Sequence, residues 1–200
     1  MIVNSVDDKL ASALALAIVR RPRATLQEIA KSAGISKATL YRIAPTRKAV
    51  IEMLLERATG HLQDALAKAE LDTSPSIAAL SRLTANVVKG RAFYLFWYHA
   101  QWVRVMDDKG DPSQLYHSFF SDALEKFFLR GQEAGVFRID LPARWLAMAY
   151  DSLLFSAIDS AEAGRVAPLG LESLVEKTLL AGIVAQSLPA DVERSRIAPR

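Results

Sequence analysis

Cysteine is absent from the 200 residues, which excludes disulfide scaffolds, thiolate metal sites and cysteine nucleophiles and accords with a reducing, cytoplasmic setting. No hydrophobic run is long enough to span a bilayer. The apolar stretch at residues 11–19 follows acidic Asp7 and Asp8 and precedes its basic cluster, the reverse of a secretion signal. No membrane association is expected. A Gly-rich phosphate loop and an HExxH pair are also missing, and His61, His99 and His117 fall on three different expected helices. Asp107 with Asp108, and Glu125 with Glu133, are carboxylate pairs of the kind any helical surface produces. Neither a metal, a cofactor nor catalysis is therefore expected. Alternating strand patterns, repeats and low-complexity tracts are lacking too, so the chain reads as all-α.

Net charge is small, +3 overall, but it is unevenly spread. Residues 1–60 hold ten Lys or Arg against five Asp or Glu, a net +5, whereas residues 61–200 hold fifteen against seventeen, a net −2. A local basic excess is what releasing counterions from phosphates requires.

That basic end contains the most informative stretch, TLQEIAKSAGISKATLYRIAPTRKAV at residues 25–50. Thr25 and Glu28 have the spacing of a capping box. A short helix through Leu26, Ile29 and Ala30 should end at Gly34, which accepts the left-handed conformation, and Ser36 should cap a second one that Pro45 stops. Two short helices joined by a Gly-containing turn make a helix-turn-helix, whose second helix enters the DNA major groove. Its outer face would carry Ser36, Lys37, Thr39, Tyr41 and Arg42, all phosphate or base-edge partners, while Ala38 allows close approach. Singly, these are ordinary surface residues; the agreement of cap, turn, face and basic flank carries the DNA-binding reading.

The stretch resembles the N-terminal DNA-binding domain of the TetR family of bacterial transcriptional regulators, through Thr25, Ile29, Ala30, Ala33, Gly34, Ile35, Ser36, Lys37, Thr39, Leu40 and Tyr41 in order and spacing. The resemblance covers about a quarter of the chain. Ile43 and Ala44 replace the usual aromatic pair, and Thr46, Arg47 and Lys48 replace Ser-Lys followed by an acid. By resemblance, Thr25, Ser36, Lys37, Ala38, Thr39, Tyr41, Arg42 and Arg47 match DNA-contact positions, with Thr25, Tyr41 and Arg47 mainly on phosphates.

Around this motif, helical periodicity predicts a first helix over residues 5–20 and a long connector helix capped by Thr46. Arg20, Arg21 and Arg23 serve equally well as phosphate attraction or as a solvated terminus. Residues 71–76, with Ser74, Pro75 and Ser76, read as a loop, followed by a helix to Lys89 that Gly90 interrupts. Residues 91–106 carry six aromatics pointing all round a helix, either an inner core helix or the wall of an apolar pocket. A candidate pocket comprises Phe93, Phe96, Trp97, His99, Trp102, Arg104, Phe120, Trp145 and Tyr150, suited to a flat or greasy ligand, with His99 or Arg104 available to an acid.

Further helices are expected from Ser113 to about Gly135, from Ala143 to about Ala161 with Asp140 near its start and Pro142 in its first turn, and from Leu169 to Ser187. The resemblance implies that the last two form a homodimer interface, with Leu153, Ala157, Ile158, Ala161, Leu174, Leu179, Gly182 and Ile183 as candidates; packing within one chain is the alternative. The expected organisation is a helix-turn-helix domain at residues 1–48, a helical ligand-binding and dimerisation domain at 49–188, and a tail at 189–200. The expected function is a dimeric regulator, a repressor of a palindromic operator in double-stranded DNA released by a small-molecule ligand. A helical interaction module that binds no specific DNA is the competing class.

Overall fold

The computed structural model describes residues 7–73, 77–107 and 119–181, with the side chains of residues 101–107 and 181 left undescribed. Among the described residues there are helices and no strands, ordered α1 (Asp8–Arg20), α2 (Leu26–Ser32), α3 (Lys37–Ile43), α4 (Arg47–Ala69), α5 (Ile77–Lys89), α6 (Arg91–Asp107), α7 (Phe119–Glu133), α8 (Ala143–Glu162) and α9 (Leu171–Ala181).

Local chemistry sets most of these boundaries. The Asp7 carboxylate accepts from Leu10 N at 2.7 Å and starts α1, so the helix begins later than the apolar periodicity suggests. Thr46 Oγ1 accepts from Ala49 N at 3.1 Å and starts α4. At the far end of α4, Glu70 turns the chain at φ 54°. Arg82 of α5 reaches back there, its Nη2 donating to Ala69 O at 2.9 Å, which satisfies a terminal carbonyl and favours the negative end of the helix dipole. One boundary differs from expectation. Pro142 stands just outside α8 at its N-cap, and Asp140, rather than serving that helix start, is held by the Arg138 guanidinium, with Nε to Oδ1 at 2.6 Å. The Pro142 carbonyl accepts the first intrahelical bond from Leu146 N at 3.1 Å, but its hydrocarbon ring has no oxygen to accept from the first-turn N–H groups, so the helix starts without a side-chain cap. The expected extensions of the seventh helix back to Ser113 and of the last to Ser187 lie partly outside the described residues, as does the Ser74–Ser76 end of the loop.

The core is continuous from end to end. In α4, Val50, Leu54, Ala58, Leu62, Ala65 and Ala69 are buried at three- and four-residue intervals, and this stripe packs on α5, α6 and α7. Buried Ala11, Leu14, Ala15, Ala17 and Ile18 on α1 cover both α2 and α6, so the N-terminal unit is joined to the larger bundle by apolar surface as well as by α4. Each fully buried Leu or Phe contributes about 1.5–3 kcal/mol relative to exposure. The bundle is closed by α8, between α7 and α9, and by α9 against α5.

Gly90, between α5 and α6, is required by contact. A Cβ there would stand 2.1 Å from the His61 imidazole of α4. Gly90→Ala is therefore expected to lower stability by about 1–3 kcal/mol through overpacking. Denaturant titration checks this, and His61→Ala in the same chain should recover part of the loss.

Candidate nucleic-acid interface

The capping box at α2 is complete. Thr25 N donates to Glu28 Oε2 at 2.7 Å, the Thr25 hydroxyl lies 2.8 Å from the same oxygen, and Glu28 N donates back to Thr25 Oγ1 at 3.3 Å. The bond from the Thr25 backbone, then that from its hydroxyl, hold the Glu28 carboxyl below its ordinary range. The helix ends in a Schellman turn: Ile35 N donates to Ala30 O at 3.0 Å and Gly34 N to Lys31 O at 3.2 Å, with Gly34 at φ 74°. Ser36 Oγ then accepts from Thr39 N at 3.0 Å and starts α3.

Helix α3 is fixed from below and open above. Leu40 is 0% exposed and anchors it, while Ser36, Lys37, Ala38, Tyr41 and Arg42 are exposed and Thr39 is half-buried. The Ser36 and Thr39 hydroxyls lie 2.9 Å apart, and Lys37 Nζ stands 5.4 Å from the Tyr41 ring centroid, a cation–π placement that orders both outward side chains. The unusual pair after α3 is accommodated by packing: Ala44 is buried and Ile43 rests against the core. Arg47, exposed, makes a contact its sequence position does not reveal, its Nη2 donating to the carbonyl of Pro22 between α1 and α2. Lys48, also exposed, lies 3.7 Å from Glu52 one turn along α4.

The aromatic residues of α6 sit in the middle of the bundle. Phe93, Phe96 and Trp97 are buried, and Trp97 meets Phe119 and Phe120 edge-on at 5.9 and 6.0 Å. Tyr150 is fully buried with its hydroxyl 3.0 Å from Thr84 Oγ1, and burial pushes its ionisation up. The side chains of Trp102 and Arg104 lie outside the described residues. His99 packs edge-on against Phe155 at 5.8 Å with its Nε2 buried and unpartnered; burial lowers its pKa, against the pull of Asp159. Trp145 corrects the expectation: it is 55% exposed on the surface of α8, because the buried positions of that helix are Ala143, Ala147, Tyr150, Leu154, Ala157 and Ile158.

The same helical register corrects two interface candidates. Ala157 and Ile158 are buried inside the single chain, at 6% and 0% exposure. Leu153, Ala161 and Leu179 are half-buried, Leu174 is 45% exposed and Leu180 44%. Gly182 and Ile183 lie outside the described residues.

Some contacts are not foreseen from the sequence. The Tyr94 hydroxyl donates to Asp151 Oδ1 at 2.8 Å and approaches Asp151 O at 3.1 Å. Glu162, at the end of α8, takes Arg20 Nη2 at 3.3 Å and Arg91 Nε at 3.0 Å, tying α1 to α6 and α8. A lone acid at position 151, amid the buried register of α8, is the signal that could have flagged the first of these.

Comparison with known proteins places this geometry. The chain is 35% identical over 182 residues to the HTH-type transcriptional regulator NfxB of Pseudomonas aeruginosa, covering 91% of this chain and 96% of that protein. The chain belongs to the TetR family of transcriptional regulators. No family model matches it. Among solved structures, the TetR-like regulator LfrR of Mycobacterium smegmatis in complex with proflavine is similar at a TM-score of 0.63 and 20% identity, covering 88% of this chain and 95% of that one. MbdR of Azoarcus sp. CIB is similar at 0.66 and 21%, covering 89% and 98%. These likenesses, at low identity, bear on the fold. As a TetR family member the protein is a DNA-binding transcriptional regulator, not an enzyme. None of the helices among the described residues is long and apolar enough to cross a membrane.

Proposed function

We propose that this TetR family member is a cytoplasmic repressor that binds a palindromic operator as a homodimer and leaves it when a small molecule enters its helical domain. Residues 1–48 form the DNA-binding unit, residues 49–188 the ligand-binding and dimerisation unit, and residues 189–200 a tail. The observation that carries the reading is α3, held by fully buried Leu40 while Lys37, Ala38, Tyr41 and Arg42 remain exposed. Lys37, Ala38, Thr39 and Arg42 face the base edges, with Ser36 at the backbone; Thr25 and Tyr41 meet phosphates. Arg47 acts there too, while its bond to Pro22 fixes α4 against the α1–α2 loop.

Self-association uses the outer faces of α8 and α9, where Leu174 and Leu180 are exposed and Leu153, Ala161 and Leu179 are partly so. Trp145, with Ala149, Ser152 and Ser156 on the same face of α8, extends that surface. Ligand in the aromatic interior around Phe93, Phe96, Trp97, His99 and Phe120 favours a second arrangement of the bundle. The Arg20–Glu162–Arg91 bridge and α4 carry that change to α1–α3. The proflavine complex of LfrR supports a flat organic ligand.

A dimer spans two half-sites about 34 Å apart, one helical turn of DNA. With an operator in hand, inserting about five base pairs between its half-sites turns one to the opposite face. Fluorescence anisotropy should then show affinity falling to the level of a single half-site. Undiminished affinity would contradict the dimeric reading.

A further inference from the structure

We propose that the turn between α1 and α2 is a second grip on the DNA backbone, with Arg21 and Arg23 holding phosphates beside the stretch that α3 reads. The inference rests on DNA recognition through α3 and adds to it a contact surface outside the helix-turn-helix.

Residues 21–24, Arg-Pro-Arg-Ala, form a tight turn closed by Ala24 N donating to Arg21 O at 2.9 Å. Pro22 takes its second position, where the ring already fixes the φ the turn needs. Both ends are anchored: Arg21 N donates to Ala17 O at 3.2 Å at the end of α1, and buried Ala24 leads into Thr25, the cap of α2. The middle is held too, because the Pro22 carbonyl accepts from Arg47 Nη2. That single bond joins two basic segments 25 residues apart in the chain. Arg21, Arg23, Arg47 and Lys48 are all exposed around the junction, at the end of α3 that carries Arg42. The surface is therefore continuous with the DNA-reading helix, and a turn fixed at three points loses little freedom when it binds.

Cations gathered on one surface repel unless acids answer them. The acids of this unit are committed elsewhere: Asp7 caps α1, Asp8 lies 3.0 Å from Arg57, and Glu52 lies 3.7 Å from Lys48. Glu28 serves the start of α2; the Thr25 bonds lower its carboxyl most, and the charge of Arg21 adds the smallest contribution. Arg20, next in the chain, is also spent, 3.3 Å from Glu162 of α8. Among the described residues, no acid stands at ion-pair distance from Arg21 or Arg23. A row of backbone phosphates answers this charge, and it does so without regard to sequence.

A service to the fold accounts for Arg21 but not for Arg23. Arg21 is the C-cap of α1, where positive charge suits the negative end of the helix dipole. Arg23 stands beyond the turn, just ahead of the α2 cap, and so meets the positive end of the next dipole. Its charge gains nothing there from the helices on either side. Arg23→Gln should therefore leave the melting temperature unchanged, and any loss it causes should appear in DNA binding alone.

The experiment titrates the full chain against a labelled duplex of random sequence over a series of salt concentrations, read by fluorescence anisotropy. Arg21→Gln and Arg23→Gln should each make the slope of log affinity against log salt shallower by about 0.9 per protomer, the value of one lost phosphate contact. Arg23→Lys should keep the slope, since an ammonium also binds phosphate. Lys126→Gln, which removes the same charge from the exposed surface of α7, should not alter it. Arg23→Gln should still select the same sequences from random duplex as the unaltered chain. Unchanged slopes in both glutamine variants would overturn the grip and leave recognition by α3 standing. Salt-independent binding by the unaltered chain would overturn both. An equal fall in Lys126→Gln, a lower melting temperature in Arg23→Gln, or loss of the slope in Arg23→Lys would also overturn it, as an effect of net charge, of the fold or of side-chain shape.

Discussion

Leu40→Ala is expected to unfold or detach the DNA-binding unit at a cost of about 2–5 kcal/mol, the range for emptying a fully buried leucine site. Leu40 is the one residue of α3 that is 0% exposed, and the helix is only seven residues long. So short a helix has no independent stability. Its position against α2 depends on that anchor and on the Ser36 cap. Operator binding should be lost with it, because the exposed side chains keep their chemistry and lose their placement. Chemical denaturation followed by amide exchange in α1–α3 checks this. Protection lost there and kept in α5–α8 is the expected pattern, and a uniform loss would mean that α3 is not separately anchored.

Arg42→Ala should leave stability unchanged and cut affinity for the preferred operator about 10- to 100-fold, with relaxed choice at one base position per half-site. The guanidinium is exposed on the side of α3 away from Leu40. Arg47→Ala should behave differently. It removes the bond to Pro22 O, so melting temperature and DNA affinity fall together, and the affinity loss is similar on all sequences. Salt titration of the two variants separates them: a reduced salt slope at Arg47 with unchanged sequence preference, against altered preference at Arg42. A reduced salt slope with unchanged preference in both variants would mean that neither residue reads bases.

What was legible beforehand was local. Thr25 with Glu28, Gly34 with Ile35, and Ser36 with Thr39 each close bonds within a few residues, so their spacing in the sequence already contains their geometry. The helix starts at Ser36 and Thr46 follow for the same reason. Long-range facing was not legible. Trp145 belongs by residue type with the interior aromatics, yet the register that buries Ala147 and Leu154 turns it to solvent. Ile158 fits a self-association face by its apolar neighbours, yet it shares the inward side with Leu154. Tyr94 with Asp151 and Arg47 with Pro22 are separated by 57 and 25 residues, and no periodicity links such partners.

The most direct test of a dimeric, sequence-specific regulator is selection of bound sequences from random duplex DNA by the purified protein, repeated at two salt concentrations. Enrichment of a palindrome with half-sites about one helical turn apart, and affinity that falls steeply with salt, is the predicted result. Recovery of unenriched sequence at both concentrations, from a protein shown by amide exchange to have α1–α3 folded, would contradict it.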